Sequence, residues 1–372
     1  MLYVSISYSY SPDFDTPESW FKRIAGYAGI FECLAIENKV ISVKQINYEG
    51  EASHNGVEYQ FVNLNRKKTH FPFGLNRFIK SLNPDVVIVQ GLHNPVQLIL
   101  LHSILNKNTK IIAHHHAERP LPGIKKYAQK LADHFVDAYL FASMDMGLDW
   151  VKKGNISSAK KINEVMEVSS NFYPVDKVLA KQKTNVSGNP VFLWVGRLND
   201  NKDPLNVVRA FLKYAKNNPT ARLYMIYHTD ELIGDLNSLL KNDPDGDAVI
   251  LIGKVPHDDL LYWFNSADLL ISGSHYEGSG TAVCEAMSCG CVPVVTDIFS
   301  FRMITDDGKC GMLYEAGNET ALLNVLNQIG ELDLEEKRRL CLRYFREKLS
   351  FPAIAKQIDE IAKGLNFSAI IP

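Results

Sequence analysis

Long apolar runs are missing from this 372-residue chain: none approaches the roughly 18 residues that would span a bilayer as a helix. Integral membrane helices are therefore excluded. The beginning, MLYVSISYSYSPDF, lacks a basic start, an extended apolar segment and a small-residue cleavage site, so it does not read as a signal peptide. A cytoplasmic location is the expectation, with peripheral contact at the inner face of a membrane as a second reading. Cysteine is scarce and scattered: Cys33, Cys284, Cys289, Cys291, Cys310 and Cys341 show none of the paired spacings of a zinc ribbon or a disulfide framework. Free thiols are expected, and the sequon Asn155-Ile156-Ser157 is expected to stay unglycosylated. Excess positive charge is also lacking, since 40 Lys and Arg face 42 Asp and Glu for a net charge of −2. That balance argues against bulk nucleic-acid binding and leaves room for a local basic patch. No short repeat is visible, which excludes a solenoid. The first apolar run, LYVSIS, is not followed by G-x-G-x-x-G, which counts against a dehydrogenase.

What is present is a globular composition, 46% hydrophobic and 22% charged, in a chain long enough for about two domains at roughly 150 residues each. Short apolar runs alternate with amphipathic stretches, the pattern of βα units and a mostly parallel sheet. Strands are expected at 2–7, 40–46, 86–90, 110–115 and 138–143, and a helix opens at Asn94-Pro95. The pattern restarts at VFLWVG, with further strands at 221–227, 248–253, 268–273 and 291–296. The polar stretch 175–190, ending in Gly and Pro, reads as a linker. The fold class is thus α/β with two Rossmann-like domains, residues 1–176 and 177–350. In such sheets ligands bind beyond the carboxyl ends of the strands, so chemistry is sought in the loops that follow them.

Two of those loops are rich in suitable groups. After VFLWVG, Arg197 and Lys202 precede a helix opened by Pro204. Two cations beside free helix N–H groups suit a phosphate, although both also read as solvated surface charges. In SHYEGSGTAVCEAMSCGCVPVV, Glu277 ends a strand segment and Gly278 and Gly280 permit close backbone approach. Glu285 then lies in the first turns of the next helix. Ionised carboxylates accept hydrogen bonds only, and sugar hydroxyls offer several donors. Together the loops read as a sugar-nucleotide site.

WVGRLNDNK followed by SGSHYEGSGTAVCEAMSCGCVPVVT, with two glutamates separated by seven residues, resembles the family 4 glycosyltransferases of the two-Rossmann-domain GT-B fold. The resemblance covers the second half well. It implies two domains facing a cleft, an acceptor-side domain at 1–176, a nucleotide-sugar-binding domain at 177–350, and a crossover helix at 351–372 packing back on the first. It implies retaining transfer from a nucleoside diphosphate sugar to a saccharide or lipid-linked acceptor, without cofactor or metal. On this sequence it places Arg197 and Lys202, next to Gly196, on the donor diphosphate, Glu277 on the donor sugar and Glu285 on the ribose. Gly278, Ser279, Gly280 and Thr281 line the same loop, and Gly253, Lys254 and Val255 contact the base. Arg197, Lys202, Glu277 and a first-half histidine are the catalytic candidates.

In the first half, DVVIVQGLHNP and KIIAHHHAERP stand where the family carries cleft histidines. His93 and one of His114, His115 and His116 are candidates, with His116 preferred. Successive strand residues alternate faces, so the three cannot all ligate one metal, and no further zinc ligands stand at a recognisable spacing. Two departures from the family appear: SYSPDFDTPESWFKR replaces a Gly-Gly loop after the first strand, and DIFSFRMI is bulky where many members are glycine-rich. Trp194 and Met225 read as core. The segment 65–80, with Arg66, Lys67, Lys68, Arg77 and Lys80 among Phe71, Phe73 and Phe78, reads as a solvated loop and helix or as a membrane or anionic-acceptor patch. Sugar-nucleotide epimerases and non-catalytic sugar-nucleotide binders are the rival functions.

Overall fold

A computed structural model describes residues 1–63 and 72–367. Arg66, Lys67, Lys68 and Phe71 of the basic segment lie outside the described residues, whereas Phe73, Arg77, Phe78 and Lys80 lie on the helix Phe73–Ser81. The chain forms two units, one of residues 1–169 with the C-terminal segment from Phe351, the other of residues 170–350.

The first unit contains the strands β1 (Leu2–Ser11), β2 (Lys39–Ile46), β3 (Gly50–His54), β4 (Val57–Val62), β5 (Val86–Gln90), β6 (Lys110–His114), β7 (Ala138–Phe141) and β8 (Ile162–Glu164), of which β1, β2, β5, β6 and β7 are apolar runs buried over most of both faces. Their order is β3-β4-β2-β1-β5-β6-β7-β8. Neighbours are parallel except for the β3–β4 hairpin. That hairpin turns at Asn55-Gly56, both with positive φ, the residue pair that two-residue hairpin turns favour. The helix Phe351–Phe367 also belongs to this unit. Its Asp359 accepts a 2.8 Å hydrogen bond from the Tyr3 hydroxyl on β1, and Phe351 lies so close to Gly29 that a Cβ there would be 2.5 Å from the ring.

The second unit contains β9 (Val191–Gly196), β10 (Arg222–Tyr227), β11 (Val249–Gly253), β12 (Leu269–Ser272), β13 (Val292–Thr296) and β14 (Met312–Tyr314). The sheet order is β11-β10-β9-β12-β13-β14, all parallel, the doubly wound Rossmann arrangement. Trp194 and Met225 are core residues, buried with Phe192, Phe211 and Leu269. Within the expected linker Lys177–Thr184 is a helix, capped by Asp176 through the Leu179 N–H and ended by Asn185 in the left-handed region. A good N-cap and a left-handed C-cap fold this polar stretch despite its composition. All six cysteines are free, five of them buried.

In each sheet the chain reverses its direction of travel next to the first strand, between β1 and β5 and between β9 and β12. The carboxyl ends at these two switch points are where ligands of doubly wound sheets bind.

Candidate functional site

The loops after β9 and β12 meet at the second unit's switch point. Asn201 joins them twice: its carbonyl accepts from the His275 N–H at 2.8 Å, and its Nδ2 donates to the Tyr276 carbonyl at 3.0 Å. The close approach requires Gly273, where a Cβ would sit 3.1 Å from the Lys202 carbonyl oxygen and 2.9 Å from Val207. The first loop is fixed from within, as Asn199 caps the turn Asp200–Lys202 through the Lys202 N–H. His275 also reaches Asp203, at 3.2 Å.

This scaffold brings Lys202 and Glu277 into an ion pair. Arg197, just past the end of β9, is exposed, and its guanidinium has no partner among the described residues. Gly280 precedes the helix Thr281–Ser288 with φ of +65°, and a Cβ on it would lie 2.6 Å from Phe301. The bulky DIFSFRMI segment therefore packs directly beneath the glycine turn. Gly280→Ala should lower folding stability by about 1–3 kcal/mol through left-handed strain and this clash, which urea denaturation will measure; an unchanged stability would show that the turn relaxes freely.

Glu285 is buried, 6% exposed, on the same helix. Its carboxylate meets His257 Nε2 at 2.7 Å, and the His257 ring lies 5.2 Å from the Phe172 ring. His257 follows the Gly253–Val255 segment and was not singled out in the sequence, although its place just beyond a predicted strand was a usable signal. The hydrogen bond to Glu285 raises the pKa of His257 above its usual 6.5. A raised folded-state pKa means the pair stabilises fully below pH 6.5 and fades as pH rises through the raised value. The thermal deficit of His257→Gln should accordingly be larger at pH 6 than at pH 9; the reverse order would exclude the pair as its cause.

The predicted first-unit residues form a separate cluster. β6 ends at His114, and His114, His115 and His116 diverge beyond it. His114 and His116 share one side, with ring centres 4.8 Å apart, while His115 turns away to stack on Phe141 at 4.6 Å. His116 is held between Glu167 and Gln90 Oε1, the latter at 2.6 Å. Glu118, another residue the sequence reading passed over, organises the cluster. It accepts from the Leu92 N–H at 2.9 Å and the His116 N–H at 2.6 Å, and pairs with His93 at 3.2 Å. Burial opposes ionisation of Glu118, but these hydrogen bonds, led by His93, bring its pKa down to about 2. Burial keeps His114 and His115 well towards the neutral form. Among the described residues no group of three or more His, Cys, Asp or Glu is placed to hold a metal ion, and no helix is long and apolar enough to cross a membrane.

The architecture is that of the GT-B glycosyltransferases, two Rossmann-like units with mostly parallel sheets. A glycosyltransferase from Rickettsia africae matches with a TM-score of 0.75 at 17% identity, over 98% of each chain. The Anabaena HepE protein, solved in complex with UDP-glucose, matches with a TM-score of 0.67 at 15% identity, over 98% of this chain and 99% of that one. Within this fold, residues 176–347 match the family model of the glycosyl transferases group 1. One relative in sequence is a D-inositol 3-phosphate glycosyltransferase from Streptosporangium roseum, 23% identical over 169 residues, 42% of this chain and 38% of the relative. The chain spans about a third of the length of the curated relatives it matches first.

Proposed function

We infer that the chain is a retaining glycosyltransferase that moves a sugar from a nucleoside diphosphate sugar to a saccharide or lipid-linked acceptor. The observation that carries this is the joining of the β9 and β12 loops by Asn201, which sets a cation, Lys202, and a carboxylate, Glu277, side by side at a switch point. A sugar linked to a diphosphate needs that combination: positive charge for the phosphates and an acceptor for the sugar hydroxyls. The group 1 family match and the UDP-glucose complex of HepE support the same reading.

In this reading Arg197 and Lys202 bind the diphosphate, assisted by the N–H groups of Gly280 and Thr281 at a helix start. Glu285 holds the ribose, Glu277 the transferred sugar, and the Gly253–Val255 backbone the base. As the bond from the anomeric carbon to the diphosphate breaks, negative charge grows on the leaving group. Preorganised cations stabilise that charge most in the transition state, so no metal is required. The acceptor hydroxyl forms the new bond on the same face, and its proton passes to the departing phosphate oxygen. Residues 177–350 serve the donor, and residues 1–176 with the segment 351–372 serve the acceptor.

His116, oriented by Glu167 and Gln90, contacts the transferred sugar. His116→Ala should lower turnover well below its effect on nucleotide binding, as steady-state kinetics and calorimetry will report. Full activity in this variant, with loss in His93→Ala, would move the role to His93. The reading as a whole is tested by incubating the protein with a panel of labelled nucleotide sugars without acceptor. One should bind or hydrolyse slowly; binding of none, with no hydrolysis, would contradict it.

A further inference from the structure

The helix Gly123–Asp133 of the first unit reverses the usual burial pattern of a surface helix. Its polar Gln129 and Asp133 are turned inward, 2% and 1% exposed, with the Asp133 carboxylate 3.6 Å from the Lys161 ammonium. Ile124, Tyr127 and Leu131 are turned outward, 85%, 71% and 52% exposed. Their spacing sets them in one stripe along the helix, and the exposed Lys125 and Lys130 stand to either side of it. Single exposed apolar residues are ordinary, whereas a contiguous apolar stripe marks a surface that something covers.

The two neighbouring helices have the same character. Pro95–His102 packs alongside, its His102 stacked on Phe135 just beyond the end of Gly123–Asp133 with ring centres 4.4 Å apart. Phe73–Ser81 packs alongside Pro95–His102 in turn. Val96 and Phe73 of these helices are exposed as well. Charge on the three helices is of one sign: Arg77, Lys80, Lys125, Lys126 and Lys130 stand against a single acidic residue, the buried Asp133, in a chain whose net charge is −2. None of these cations pairs with a carboxylate among the described residues. The preceding stretch 64–71, outside the described residues, adds Arg66, Lys67 and Lys68 and no Asp or Glu.

We propose that these three helices dock the protein on an anionic lipid surface, with Ile124, Tyr127 and Leu131 entering the boundary between headgroups and acyl chains and the cations lying on the headgroup phosphates. Among the described residues no helix is long and apolar enough to cross a membrane, so the contact is that of an amphipathic helix lying in the plane of the surface. Lysine stems run along apolar surface while the ammonium stays in water, which lets Lys125 and Lys130 accompany the stripe into that zone. A second copy of the chain fits the face poorly. A two-fold interface sets one patch against itself, and here it would oppose cations with cations and offer no exposed carboxylate. An anionic bilayer complements the stripe and the charge together. The sequence reading placed a membrane patch at 65–80; the helix Gly123–Asp133, which it did not name, carries the apolar stripe. The proposal goes beyond the glycosyltransferase reading and draws nothing from the transfer reaction.

The whole protein is sedimented with vesicles of phosphatidylcholine alone and with vesicles of phosphatidylcholine and phosphatidylglycerol in a ratio of about two to one. It should bind the anionic vesicles roughly tenfold or more tightly than the neutral ones, and added salt should shrink the difference. Ile124→Ser with Leu131→Ser removes two exposed apolar side chains and should weaken binding to the anionic vesicles by roughly tenfold or more, with the melting temperature little changed. Lys125→Gln with Lys130→Gln should lessen the preference for anionic over neutral vesicles. Ile36→Ser, which removes an apolar residue that is 80% exposed outside the three helices, should leave binding as it is. No binding to the anionic vesicles, equal binding to both kinds, or undiminished binding in the Ile124, Leu131 variant would overturn the proposal, as would an equal loss in Ile36→Ser. A wild-type dimer that the Ile124, Leu131 variant dissolves, without vesicle binding, would assign the face to a second copy and overturn it too. Nucleoside diphosphate binding should be the same in all these variants, so failure of the donor site and failure of the lipid surface are read separately.

Discussion

Lys202→Ala should reduce turnover by about 10²–10³-fold, the loss seen when one preorganised donor to developing negative charge is removed. Donor affinity should change far less, because the lysine is most valuable when the diphosphate carries its full leaving-group charge. The ion pair with Glu277 adds a second expectation. In the free protein Lys202 and Glu277 neutralise each other, so Lys202→Ala leaves a carboxylate that is 15% exposed without its cation. The double variant Lys202→Ala, Glu277→Ala should therefore be more stable than either single effect on folding would suggest, a coupling that a double-mutant cycle reads directly. Steady-state kinetics of the Lys202 variant decides the first point. A rise in the donor KM with unchanged kcat would mean that Lys202 binds ground state and transition state alike.

The two glutamates should separate in calorimetry. Glu285 is buried on a helix and already makes a strong hydrogen bond, to His257. In the proposed complex the ribose hydroxyls take up its carboxylate, and each charge-assisted hydrogen bond contributes about 1.5–3 kcal/mol. Glu285→Ala should thus weaken bare nucleoside diphosphate and intact donor by roughly tenfold or more. Glu277 lies on the loop before the helix, paired to Lys202. Glu277→Ala should spare the bare diphosphate and reduce affinity or turnover only with the intact donor. Equal losses of bare diphosphate in both variants would mean that the loop glutamate also serves the nucleotide. A Glu285→Gln control separates lost charge from collapse of the helix start.

The strands of the second unit were legible because burial on both faces leaves unbroken apolar runs: VFLWVG became β9 at 191–196, and the other four expected strands were recovered within a residue at each end. Four strands escaped. β8 and β14 have three residues each, too short for a periodic signal. β3 has no buried position and β4 buries only alternate residues, so neither is an unbroken apolar run, although the Asn55-Gly56 turn between them was readable. The helix within the expected linker was missed because composition was weighed above the caps Asp176 and Asn185.

For the candidate site, spacing along one loop or helix is local information, and it singled out Lys202, Glu277, Gly280 and Glu285, which the fold sets on two adjoining loops and the helix that follows. Contacts between separate loops are not local. Glu118 gathers His93 and the His116 backbone, residues up to 25 positions away, and His257 reaches Glu285 across 28. Glu118 stands in the KIIAHHHAERP stretch without a recognisable role there and His257 belongs to no motif, so neither could be paired before the fold was known.

The central claim is metal-independent transfer with retention at the anomeric carbon, and proton NMR of the product tests it most directly. The donor identified from the nucleotide-sugar panel is incubated with an acceptor in the presence of EDTA, and the coupling of the product's anomeric proton is read before mutarotation. The account predicts a product with the anomeric configuration of the donor, formed at the rate seen without EDTA. A product of opposite configuration, or transfer only after manganese or magnesium is added, would contradict it.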